Sequence, residues 1–87
     1  GVYFVKSSIK SRCFFGMMNI GFRPTVNGKV RTTEVHYFNF NENLYDKKIE
    51  IEVLDLIRNE KKFNSLEDLE KQLVSDKKLC ENLIQKL

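Results

Sequence analysis

The 87-residue sequence has no tryptophan, one proline, one histidine, two cysteines and four glycines. Each shortage closes off a class of protein. A single histidine, His36, cannot build a multi-histidine metal site. Cys13 and Cys80 lie far apart and neither belongs to a CxxC pair, so a disulfide framework and a zinc ribbon are both unsupported. Both thiols read instead as small buried hydrophobes in a reducing cytoplasm. No apolar run approaches the ~18–20 residues that span a bilayer. Gly1–Ile9 lacks the charged-then-apolar form of a signal peptide, and no Asn-x-Ser/Thr acceptor occurs. Charge of one sign is also missing: 15 basic against 12 acidic residues leave +3. The basic residues are spread evenly among acidic ones with no basic-aromatic face, which argues against nucleic acid as a partner.

What is present is one domain's worth of chain with an aromatic-weighted core, since seven Phe and three Tyr stand in for the missing Trp. Val2–Ile9 is rich in β-branched and aromatic residues and reads as a strand. Lys10-Ser11 offers a short turn into a second strand, Cys13–Ile20, in which Gly16 marks a bulge or a close backbone approach. Gly21–Thr25 reads as irregular, because Pro24 removes a donor and pushes Arg23 towards extended geometry. Asn27-Gly28 is a turn signal. Thr32–Phe40 alternates as a third strand and Lys48–Arg58 as a fourth, whose apolar and charged faces separate cleanly at first and merge towards the end. Ser65-Leu66-Glu67-Asp68 has the form of a helix N-terminal box, with Ser65 as N-cap. Leu66, Leu69, Leu73, Cys80, Leu83, Ile84 and Leu87 then recur at helical spacing and are expected to form core. Asp76 falls on that stripe, which implies either a break near Val74-Ser75-Asp76 or a buried hydrogen bond. Strands first and a helix last, without βαβ alternation, predict a mainly β protein: a small antiparallel sheet or barrel with a C-terminal α-helix packed on it.

Few residues suggest chemistry. Gly16–Gly21 has the outer spacing of a P-loop, but Phe22-Arg23 stand where Lys and Ser/Thr are required, so that reading fails. Glu34 and His36 share one face of a strand, about 7 Å apart by the strand rise. A carboxylate held on a rigid strand suits a general base; it equally suits an exposed polar face. Arg23, Arg31 and Arg58 could each meet phosphate or lie on the surface. Tyr45 could stack on a planar ring or anchor a turn. On residue chemistry alone the chain is an enzyme piece, a non-catalytic binding module or a nucleic-acid-binding barrel.

Four segments add to this reading: Gly1-Val2-Tyr3; Asn19-Ile20-Gly21-Phe22-Arg23-Pro24-Thr25-Val26; Glu34-Val35-His36-Tyr37-Phe38-Asn39-Phe40 followed by Asn43-Leu44-Tyr45; and Ile57–Leu66. In order and spacing they resemble the riboflavin kinase domain of the bacterial bifunctional riboflavin kinase/FMN adenylyltransferase (FAD synthetase) family. The resemblance runs from Gly1 to at least Asp76. It implies an antiparallel β-barrel with a C-terminal helix that transfers the γ-phosphate of ATP to the 5′-hydroxyl of riboflavin, giving FMN, with Mg²⁺. It places the catalytic carboxylate on Glu34, Tyr45 and His36 on the nucleotide side, and Arg58, Phe63 and Ser65 on the flavin side. The family's Pro-Thr-Ala-Asn motif, whose Thr and Asn hold Mg²⁺ and phosphate, precedes the Gly-Val-Tyr segment, and Pro24-Thr25 belongs to the other motif. Residues 1–87 are therefore expected to be this domain without its opening strands and without a metal ligand of its own. Little activity is expected from the isolated chain, together with self-association through exposed strand edges. Asp46 stands where the family usually has Gly, in a turn that Asp tolerates. The partners implied are small molecules, riboflavin and ATP, with neither nucleic acid nor membrane.

Overall fold

Local turn chemistry sets the sheet. The computed structural model describes residues 1–41 and 48–87, and for Arg23 and Pro24 the backbone alone. β1 (Val2–Ile9) folds back into β2 (Arg12–Thr25) through Lys10 and Ser11, whose φ values of 52° and 65° give the turn a twist that matches its flanking strands. β2 continues into β3 (Gly28–Tyr37), and β4 (Glu52–Arg58) precedes α1 (Leu66–Gln85). All strand pairs are antiparallel, in the order β3-β2-β1-β4. The expected mainly β fold with a C-terminal helix is present. The sheet is open: among the described residues β3 and β4 are its two edges and do not pair with each other.

Three strands differ in their bounds from the sequence expectation. Gly21–Thr25, expected to be irregular, continues β2, and β3 starts at Gly28 rather than Thr32. Proline fits there because of rung parity. Gly1 and Ile20 exchange both backbone hydrogen bonds, at 2.7 and 2.9 Å, so even-numbered residues of β2 aim their N–H towards β1 and odd ones towards β3. Pro24 is even, so its nitrogen faces away from β3 and no bond of the β2–β3 ladder is lost. The turn is made by Val26 and Asn27, with Thr25 opposite Gly28; Gly28 adopts φ 140°, which a side chain would disfavour. β3 stops at Tyr37 rather than Phe40, just before Asn39 takes φ 58°.

The third difference is in β4, which pairs from Glu52 rather than Lys48. Two register shifts, between Val2 and Tyr3 and between Phe4 and Val5, interrupt its ladder with β1. Each leaves one extra residue on β4, Ile57 and Leu54 respectively. Strict alternation would put these two on opposite faces; the bulges turn both onto the core, as an inserted residue does.

That core lies between one sheet face and the C-terminal half of the helix. Phe4 and Cys80 are fully buried with Phe38, and Phe15, Met17, Leu54, Ile57, Leu83 and Ile84 pack around them. Phe4 stacks on Phe15 with ring centroids 5.5 Å apart, and its burial contributes about 1.5–3 kcal/mol. On the opposite face Val5, Ser7, Met18 and Tyr37 are buried. Tyr37 reaches across β2 to share a 2.7 Å hydrogen bond between its hydroxyl and that of Ser7. Gly16, opposite Tyr37, permits this: a Cβ there would meet the His36 carbonyl oxygen at 2.5 Å, the close approach that the sequence suggested.

The helix is capped as expected. Ser65, extended at φ −150°, accepts a hydrogen bond from the Asp68 amide at 3.1 Å, a contribution of about 1 kcal/mol. It runs unbroken past Asp76, so the buried hydrogen bond, not a break, explains that residue. The apolar stripe is only partly core: Leu66 and Leu73 are exposed because the sheet lies beneath the second half of the helix, and Leu87 is exposed beyond the helix end. No described helix is long and apolar enough to cross a membrane.

The two thiols differ, contrary to expectation. Cys13, opposite Ser8 towards the far end of the β1–β2 hairpin, is exposed, whereas Cys80 is buried. Burial, assisted by the charges of Asp76 and Glu81, pushes the Cys80 thiol up to about 11 from 9.0. We predict that a thiol reagent labels Cys13 in the native protein and Cys80 only on unfolding. The unfolded chain loses the Cys80 proton first, so the stability this thiol contributes is complete below pH 9 and falls away between about 9 and 11. Denaturant titrations of wild type and Cys80→Ala across that range check it; parallel pH profiles would contradict the assignment.

Candidate active site

The register gathers polar side chains onto the face that the helix only half covers. Asn19 lies opposite both Val2 and Glu34, and Met17 lies opposite both Phe4 and His36. Alternation therefore presents Val2, Met17, Asn19, Glu34 and His36 together. The connector from β4 to α1 and the first turns of the helix form the facing wall, with Arg58, Glu60, Lys61, Phe63, Leu69 and Leu73. Between the walls is a cleft of about 440 Å³, within the range of small-molecule sites. Val2 and Met17 on its floor and Leu69 and Leu73 on its helix wall are apolar, and its carboxylates and cations sit around them.

Four of the six residues singled out in the sequence meet here: Glu34, His36, Arg58 and Phe63. Ser65 does not line the cleft; its hydroxyl is engaged as the helix cap. Tyr45 lies outside the described residues, as does Asp46. Arg31 is exposed on the β2–β3 arm and is not part of the cleft. Gly16 and Gly21 are separate positions within one extended strand rather than a phosphate loop; a Cβ on Gly21 would meet the Glu60 carboxylate at 2.7 Å.

Glu34 and Arg58 occupy opposite environments. The Glu34 side chain stands exposed on β3. His36 is also exposed and meets the edge of Phe38 at 5.9 Å between centroids. Arg58 is held. Its Nε donates to both carboxylate oxygens of Asp76 at 3.0 Å each, and a terminal nitrogen lies 2.9 Å from Asp76 Oδ2. The Asp76 side chain is 2% exposed and that of Arg58 19%. Gln72 Nε2, one turn earlier on the helix, donates to Asp76 Oδ1 at 2.9 Å. The guanidinium also lies 5.7 Å from the centroid of the Phe63 ring, and Lys61 Nζ approaches the same ring at 5.6 Å.

Sequence reasoning missed the helix wall, Leu69 and Leu73, which it assigned to the core. It also missed Met17 and Asn19, whose signal was their parity with Glu34 across the hairpin. No group of three or more His, Cys, Asp or Glu that could hold a metal ion occurs among the described residues.

An apolar cleft with a free carboxylate on a rigid strand is the architecture of a small-molecule site. The riboflavin kinase family model matches residues 1–84, and the chain belongs to that family. It is 47% identical over 77 residues to a bifunctional riboflavin kinase/FMN adenylyltransferase of Haemophilus influenzae, covering 87% of this chain and 25% of that one. An RNA-binding riboflavin kinase of Bacillus subtilis is 42% identical over 87% of this chain and 34% of its own length. A crystal structure described as a macrolide-efflux protein from Streptococcus pneumoniae superposes with a TM-score of 0.83 at 33% identity, over 94% of this chain and 27% of that one. The chain thus spans about a quarter to a third of the length of these relatives.

Because the Asp76 carboxylate is almost wholly buried, we predict that Arg58→Met destabilises the fold by about 3–5 kcal/mol, the usual cost of stranding one member of a buried pair. Urea denaturation measures this, and a loss below 1 kcal/mol would mean that the pair is dispensable.

Proposed function

We propose that this domain catalyses phosphoryl transfer from ATP to the 5′-hydroxyl of riboflavin, giving FMN and ADP. The observation that carries the reading is Glu34: an exposed carboxylate on a paired strand, at a cleft whose far wall is aromatic and aliphatic. In such a transfer the enzyme's work is positioning, charge neutralisation and removal of a proton. Glu34 takes the proton of the 5′-hydroxyl as its oxygen attacks the γ-phosphorus, and the bond from that phosphorus to the β-bridging oxygen breaks. The apolar wall formed by Phe63, Leu69 and Leu73 accepts the flavin ring, with Arg58 behind Phe63. His36, two residues along the strand from Glu34, is assigned to the nucleotide side, as is Tyr45. Mg²⁺ is assigned to the reaction as its metal. The free thiols Cys13 and Cys80 suit a reducing compartment, and the cytoplasm is the compartment assigned.

The open edges of β3 and β4 also support self-association, since an edge strand presents unpaired backbone donors and acceptors. Light scattering of the 87-residue chain should give a mass above the monomer; a strictly monomeric state would remove this assignment. One relative is named as an RNA-binding kinase, but the mixed charge of this chain, +3 overall, favours small-molecule substrates over nucleic acid.

Glu34→Gln keeps shape and removes the base. In the full-length protein it should lower FMN formation by about 10²–10⁴-fold, the usual range for general-base catalysis, with an unchanged melting temperature. Turnover within a few-fold of wild type would exclude Glu34 as the base.

A further inference from the structure

We infer that Asp76 is a positioning residue for the ring of the acceptor substrate. It acts through Arg58 on Phe63, so that this end of the cleft receives a neutral, flat ring and not a phosphate. The inference rests on the riboflavin reading above and adds a residue and a specificity to it.

Asp76 lies on the helix and Arg58 at the end of β4, so their pair spans the two elements that make the cleft wall. The carboxylate takes two contacts from Arg58 Nε and one from a terminal nitrogen, and Gln72 occupies it further. The remaining terminal nitrogen of Arg58 lies 3.4 Å from the Asn59 carbonyl oxygen. The fork of Nε and one terminal nitrogen is therefore committed to Asp76, and its charge is matched by a carboxylate within 3 Å. The guanidinium also offers its planar face, near the Phe63 ring at 5.7 Å. A cation in that position attracts the ring's π-face and restrains its orientation. Phe63 in turn lines the cleft, where an oriented aromatic side chain provides a stacking surface.

An arginine free of Asp76 would serve a different ligand. Its fork geometry matches phosphate, and a phosphate at this end would compete with a neutral ring. Asp76 occupies one fork of the guanidinium and neutralises its charge, which weakens that use. The arrangement predicts discrimination between riboflavin and anionic analogues at the ring end, independent of the chemical step at Glu34.

The test is Asp76→Asn in the full-length protein, assayed well below its melting temperature. Direct riboflavin binding is followed by flavin fluorescence and turnover by steady-state kinetics. Riboflavin affinity should fall about tenfold and KM for riboflavin rise in parallel, while kcat and KM for ATP change less than twofold. Phe63→Leu should produce a similar loss, and the double variant should be no worse than either single one, because both act on the same ring. Asp76→Glu should recover part of the affinity. A purely structural Asp76 would lower the melting temperature and leave riboflavin affinity unchanged, which overturns the inference. So would additive losses in the double variant, or a fall in kcat matching the loss of affinity. If wild type binds riboflavin without phosphorylating it, the kinase reading fails while the binding arm still decides the role of Asp76.

Discussion

A carboxylate that is 2% exposed must be compensated where it sits, and on α1 it sits between the half of the helix that packs and the half that overhangs. Below Asp76 the helix is fixed by Cys80, Leu83 and Ile84 against Phe4 and Phe38. Above it, Leu69 and Leu73 face the cleft and supply little packing on the sheet. Desolvating Asp76 costs several kcal/mol unless it is paired, and its cationic partner, Arg58, comes from the last residue of β4. The angle at which the overhanging half stands away from the sheet is thereby tied to one guanidinium. The connector, the position of Phe63 and the width of the cleft follow from that tie.

Much of this was legible in the sequence where a local rule decided the outcome. Lys10-Ser11 as a turn, Ser65 as a cap and the strand character of Val2–Ile9 needed only neighbouring residues. What was not legible depended on residues far apart. A turn centred on Asn27-Gly28 would have set Glu34 opposite Gly21; moving it one residue earlier sets Glu34 opposite Asn19. The face is preserved, so Glu34 and His36 still share one side of the sheet, but the rung was not legible. Pro24 read as a strand breaker because the side towards which its nitrogen points was unknown. The bulges of β4 break the period-2 pattern from which its faces were inferred, and nothing in the sequence of β4 marks them. Cys13 illustrates the opposite limit: its apolar character was visible, but its place on β2 beyond the reach of β3, which leaves it in solvent, was not.

Glu34 and Arg58 show why residue type alone could not assign roles. Both are charged, both lie on strands, and both line one cleft. The exposed carboxylate of Glu34 keeps its lone pairs available for a proton. Arg58 has committed its Nε and one terminal nitrogen to Asp76, and its guanidinium lies beside the Phe63 ring. Availability, which is set by tertiary neighbours, separates the two.

The strand order β3-β2-β1-β4 has a consequence for how the molecule comes together. β1, β2 and β3 form a meander joined by tight turns, whose pairings close short loops at low entropic cost. β4 reaches β1 only across the whole meander, and such non-local pairings form slowly. Val2, Met17, Asn19, Glu34 and His36 belong to the part that assembles early, whereas Arg58, Phe63, Leu69 and Leu73 arrive with the part that docks late. A ligand lying between them would bridge two stages of assembly, and by linkage its binding energy would hold the late stage in place. Amide exchange in β4 and the start of α1, more than in the meander, is where the presence of substrate would be recorded.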